Sequence, residues 1–89
     1  MIYKLKEGFL VRKIGSQIMA VPVGPQTSEI HGMIALTESG ELLWNRLKEG
    51  ADEEQLTDII CENYEIDRET ALNDVKKFLR GLSEQGALI

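Results

Sequence analysis

Eighty-nine residues with fifteen acidic and ten basic side chains make a chain with net charge −5, 43% hydrophobic and 28% charged, ordinary for a globular protein of one domain spanning residues 1–89. That charge is a poor basis for gripping phosphates, so no nucleic-acid partner is expected; no apolar run approaches the ~20 residues of a membrane span, so no membrane partner is expected either. The opening Met1-Ile2-Tyr3-Lys4-Leu5 lacks a signal-peptide core and Cys61 is the only cysteine, which excludes an internal disulfide and points to the cytoplasm.

Phe9 to Ile14 reads as a strand, Gly15-Ser16 as a two-residue turn, and Gln17 to Val21 as the second arm of a β-hairpin. Pro22 ends that arm because it has no N–H for a ladder. Val23 to Ser28 is a polar loop with Gly24 and Pro25. Glu29 to Leu36 then reads as a third strand, with Ile30, Gly32, Ile34 and Leu36 on one face and His31, Met33 and Ala35 on the other. Gly32 permits a close backbone neighbour, and this strand is assigned to the edge of the sheet.

From Thr37 the period turns helical. Thr37 is an N-cap, Leu43, Trp44 and Leu47 form an inward stripe, and Gly50 stops the helix. Asp52 and Gln55 form a capping-box pair for a second helix, whose buried face is Leu56, Ile59, Ile60 and Tyr64. Asp67 caps a third helix, with Thr70 at its N3 position and Ala71, Leu72, Val75, Phe78, Leu79 and Leu82 at i, i+3, i+4 spacings. Phe78 and Leu72 stand at opposite margins of that broad stripe. Gly86 stops the helix, and Ala87-Leu88-Ile89 tucks back on the core. Leu36, Trp44, Leu47, Ile60, Leu72 and Leu79 are the expected core. The class is α+β: a three-stranded antiparallel sheet followed by three helices, winged-helix-like, with the hairpin as wing.

Little in this chain supports catalysis. His31 is the only histidine, on an exposed strand position. The serines Ser16, Ser28, Ser39 and Ser83 sit in turns or caps with no triad spacing. Asp52-Glu53-Glu54 complements a helix dipole, and one cysteine with one histidine builds no zinc site. Gly24, Gly32 and Gly40 form no phosphate-cradling pattern. No enzyme, metal or cofactor is expected.

Gly8-Phe9-Leu10-Val11-Arg12, Leu36-Thr37-Glu38-Ser39-Gly40 with Trp44, and Asp74-Val75-Lys76-Lys77-Phe78-Leu79 with Leu82 and Gly86 together resemble the PqqD-like family, the RiPP precursor peptide recognition elements, over about Lys6 to Ile89. The resemblance implies a non-catalytic peptide chaperone. It would bind the leader of a ribosomally made precursor by strand addition and present it to a modifying enzyme, often a radical S-adenosylmethionine (radical SAM) protein. On this sequence, Ile30, His31, Gly32, Met33, Ile34 and Ala35 would offer the edge. Ala71, Asp74, Val75, Phe78 and Leu82 of the last helix would line a groove, with Lys77 and Gly81 completing the set. The chain lacks the Arg-rich opening of the members that serve pyrroloquinoline quinone synthesis, and Val21-Pro22-Val23-Gly24-Pro25 departs from their second-strand ending. Recognition of another modified peptide is therefore the nearer expectation. Two other readings stand beside it: a winged-helix DNA-binding module with the last helix as reader, and a homodimer paired through its sheet edge.

Overall fold

A computed structural model describes residues 1–23 and 33–89. Three strands, β1 (Phe9–Ile14), β2 (Gln17–Pro22) and β3 (Ile34–Leu36), precede three helices, α1 (Glu38–Leu47), α2 (Glu53–Asn63) and α3 (Arg68–Glu84). The sheet is antiparallel in the order β1-β2-β3, as expected for an α+β fold. Gly15 opens the hairpin turn with φ +64, the left-handed backbone that a two-residue type II′ turn needs at its first position. The predicted strand from Glu29 to Leu36 is represented by Ile34–Leu36; its residues Glu29, Ile30, His31 and Gly32, and Gly24 to Ser28 of the expected loop, lie outside the described residues.

Strand alternation fixes which side is core. Ala20, Ile34 and Leu36 are buried on the inner face with Val11 and Ile18 half-buried beside them, whereas Leu10 and Ala35 point outward. On the inner side Trp44 is the central piece: 1% exposed, it meets the Phe9 ring edge-on, with centroids 5.1 Å apart and planes at 86°. Leu47, Leu56, Val75 and Leu82 belong to the same buried cluster.

Each helix begins on the expected cap. Thr37 Oγ1 accepts from the Gly40 amide at 3.0 Å. Asp52 Oδ1 accepts from the Gln55 amide at 2.7 Å while Gln55 Oε1 accepts from the Asp52 amide at 3.0 Å, a complete capping box. Asp67 Oδ2 accepts from the Thr70 amide at 3.0 Å, and Thr70 Oγ1 donates to Asp67 Oδ1 at 2.7 Å. The Thr70 hydroxyl, with the Thr70 amide second, holds the Asp67 carboxyl below its ordinary value. A carboxyl with a depressed folded pKa stabilises the fold above the unfolded value and loses that contribution as pH falls through the folded one. A carbon-detected NMR titration should therefore place the Asp67 midpoint below 3.8, and Thr70→Ala should return it toward that figure.

An N-terminal thread without a sequence assignment closes the other end. The Tyr3 amide donates to the Ala51 carbonyl at 2.8 Å, Leu5 to Leu47 at 3.1 Å and Lys6 to Ala87 at 2.8 Å, and the Ile89 amide returns to Lys4 at 2.9 Å. Leu5 is 5% exposed, and Gly50, with φ +95, lets Ile2 lie against the α1–α2 turn. The expected return of the C-terminus is present at Ala87 and Leu88, while Ile89 stays exposed. Three burial assignments change, the first being Ile59, which is half-buried. Tyr64 is not on a buried face, because α2 ends at Asn63 and the chain turns extended at Tyr64. Leu72, at the stripe margin, is half-buried rather than core. Among the described residues no helix is long and apolar enough to cross a membrane.

Candidate functional site

β3 has β2 on one side, and among the described residues no strand pairs with its other side. An edge strand presents a row of unpaired backbone donors and acceptors, which is a template for an added strand. Immediately after β3 the chain bends through Thr37 into α1, and a depression opens there. Its deeper part, about 230 Å³, is lined by Thr37, Ser39, Gly40, Leu43, Ile60, Asp74 and Phe78. A shallower part, about 410 Å³, shares Thr37, Ser39, Ile60 and Asp74 and continues to Glu38, Tyr64, Glu65 and Ile66.

Gly40 explains how the depression forms. A Cβ at that position would lie 3.2 Å from Thr37 Oγ1 and 3.3 Å from Phe78 Cε1. The bare glycine lets the α3 aromatic ring approach the first turn of α1 while the Thr37 cap stays in place. The result is an apolar floor of Leu43, Ile60 and Phe78 with carboxylates at Glu38, Glu65 and Asp74; no Lys or Arg is among the lining residues.

The predicted set divides. Met33 and Ala35 are exposed, and Ile34 turns inward to the core. On α3 the structure joins Asp74 and Phe78 to the depression, while Lys77 and Gly81 are exposed and absent from its lining. Ala71 and Val75 are 0% exposed and Leu82 2%, so their assignment as groove lining is corrected: in this conformation they have no surface to give. The reason is angular. At about 100° per residue Leu82 and Ala71 fall within roughly 40° of Val75, the centre of the stripe that packs on the core, whereas Phe78 lies about 60° and Asp74 about 100° to one side. The margins of the stripe reach the surface, and Phe78 stands on the one that faces the depression. Sequence reading missed Thr37, Ser39, Gly40, Leu43, Ile60 and Ile66; a marginal Phe on a stripe too wide for one neighbour was the available signal.

The model of a known family, described as Coenzyme PQQ synthesis protein D (PqqD), matches residues 20–88. The chain belongs to the PqqD family. That match spans β3, the depression and all three helices. A comparison with curated proteins gives no match. Among solved structures, TbiB1 in complex with the TbiA(beta) leader peptide is 26% identical, with a TM-score of 0.73 over 96% of this chain and 93% of that one. A second, lasso peptide synthetase B1 complexed with the leader peptide, is 18% identical with a TM-score of 0.74 over 98% and 96% of the two chains, and speaks to the fold alone.

Proposed function

We propose that this PqqD-family chain is a non-catalytic recognition module that binds the leader of a ribosomally synthesised precursor peptide and presents it to a modifying enzyme. The likeness to TbiB1, a chain solved with a leader peptide, carries the reading; the unpaired margin of β3 beside the Phe78 depression supports it. The leader adds as a further antiparallel or parallel strand at β3, and an apolar side chain seats on Leu43, Ile60 and Phe78. Main-chain bonds then supply affinity, and the depression supplies selectivity. Glu38, Glu65 and Asp74 at the depression favour a leader with a cationic residue next to that apolar anchor. We infer that the modifying enzyme it serves is of the radical SAM type, as is frequent for partners of such modules.

Each added hydrogen bond contributes about 0.5–1.5 kcal/mol net and a buried anchor about 1.5–3 kcal/mol. After association costs, a dissociation constant near micromolar, roughly −8 kcal/mol, follows.

Strand addition makes a period-two prediction. In a synthetic leader that binds this chain, N-methylation of alternate amides should weaken binding by roughly tenfold or more in one phase and little in the other. Fluorescence anisotropy reads this directly. Equal tolerance of both phases would rule out pairing at a strand edge.

A further inference from the structure

The two margins of the sheet carry opposite charge. The depression beside β3 has Glu38, Glu65 and Asp74, whereas a cleft of about 360 Å³ beside β1 is lined by Lys4, Lys6 and Lys48 together with Phe9, and Glu7 is its only carboxylate. In a chain of net charge −5 that local excess runs against the whole. Arg46 and Arg68 are taken up by Glu49 at 3.2 Å and Asp58 at 2.7 Å, but none of these three lysines has an ion-pair partner among the described residues. The N-terminal thread gathers them. Leu5 turns into the core, so extended alternation puts Lys4 and Lys6 on the opposite side of the thread. The Leu5 amide donates to the Leu47 carbonyl at 3.1 Å, which draws both toward Lys48 at the end of α1.

The strand beside that cleft is unpaired as well. β1 has β2 on one side, and among the described residues no strand pairs with its other side. The two-residue turn makes Ile14 and Gln17 a hydrogen-bonded pair. Leu10, Arg12 and Ile14 therefore turn their amides and carbonyls to β2, and Phe9, Val11 and Lys13 turn theirs outward. The Val23 amide, donating to the Gly8 carbonyl at 2.7 Å, keeps the same alternation. Such a row is a template for another extended backbone. A small anion or a nucleic acid would use the lysines and not the row; an extended peptide uses both. Its alternate side chains fall on the Phe9 side, over the cleft.

We propose that the β1 margin is a second docking site, for an acidic peptide segment in extended conformation. Its backbone pairs with Phe9, Val11 and Lys13, and its alternate carboxylates meet Lys4, Lys6 and Lys48. Charge selects the margin, because the carboxylates at the β3 depression repel such a segment and the three lysines attract it. The inference does not rest on leader docking at β3, and the two margins fill independently.

The test titrates the full chain into a short, capped, fluorescently labelled peptide that alternates glutamate and valine. This probe should bind, lose at least tenfold in affinity when its glutamates are replaced by lysines, and weaken as salt rises from about 50 to about 300 mM. Lys4→Glu and Lys48→Glu, both at exposed positions, should each weaken it at least fivefold with circular dichroism unchanged. Lys76→Glu, the same charge change on α3, should leave it within twofold. Hydrogen exchange should show new protection at Phe9, Val11 and Lys13 and none at Ala35. No binding at millimolar probe, protection at Ala35 instead, or an equal loss in Lys76→Glu would overturn the proposal. So would a probe that tolerates N-methylation of alternate amides in both phases, since the lysines alone would then hold it. Tighter binding of duplex DNA, lost in the Lys4 and Lys48 variants, would assign the cleft to phosphates and overturn it likewise. A leader bound at β3 should leave probe affinity within twofold, and displacement of the probe would overturn the two-site arrangement. If no leader binds, only the leader reading falls.

Discussion

Phe78→Asp is expected to weaken leader binding at least a hundredfold while the protein stays folded. Phe78 is half-buried, so its ring stands partly in solvent at the wall of the depression and is available to an incoming side chain. Losing an aromatic contact of this kind removes about 1.5–3 kcal/mol. The new carboxylate would also sit one helical turn from Asp74, in a depression already bearing Glu38 and Glu65, where an apolar anchor would have to desolvate it. A combined loss of about 3 kcal/mol corresponds to roughly a hundredfold in affinity. Because the ring also packs on Gly40, the thermal midpoint should fall by about 5–10 °C, with circular dichroism otherwise unchanged. Phe78→Leu keeps an apolar wall and should retain most of the binding. Anisotropy with a labelled leader distinguishes the three proteins. Full affinity in Phe78→Asp would remove the depression from the account.

Trp44→Ala should have the largest effect on the fold. Trp44 is among the largest fully buried side chains, and its indole joins α1 to the start of β1 through the edge-on contact with Phe9. Truncating a buried Trp costs about 3–5 kcal/mol, and the lost aromatic pairing adds about 0.5–1.5 kcal/mol. A chain of this length has a total stability of roughly 4–13 kcal/mol. The variant should therefore be largely unfolded or unfold far earlier in urea, with the hairpin losing its anchor on α1. Trp44 is the only tryptophan, so its fluorescence reports unfolding of the parent protein, and circular dichroism must serve for the variant. A midpoint shift of under about 1 kcal/mol would mean that the hairpin is held by something other than this contact.

How much of the structure was legible depends on where the physics is local. Caps are local: Thr37, Asp52 with Gln55, and Asp67 with Thr70 carry their signals within four residues, and all three function as read. The hairpin is local as well, since Gly15 permits the turn and the alternation sets the register Leu10↔Val21. Tyr64 fits the spacing of α2 yet lies past its last turn, because periodicity does not report where a helix stops. The thread through Tyr3 and Leu5 was invisible because two isolated bridges, to Ala51 and Leu88, leave no repeating pattern. The site lies between these cases. The width of the α3 stripe signalled a second neighbour, but whether Val75 or Phe78 met it depends on how the helix is rotated, and packing settles that. The depression itself depends on Gly40 approaching Phe78, a contact between residues far apart in sequence.

The claim that most needs testing is that a foreign extended segment pairs with β3. Amide-resolved hydrogen exchange with and without the synthetic leader addresses it directly. Pairing at β3 predicts new protection at the outward-facing amides of Ile34–Leu36, accompanied by shifts of the Phe78 and Asp74 resonances. Protection confined to Phe9–Ile14, beside the cleft lined by Lys4, Lys6, Lys48 and Trp44, would place the peptide on the opposite margin of the sheet and contradict the account.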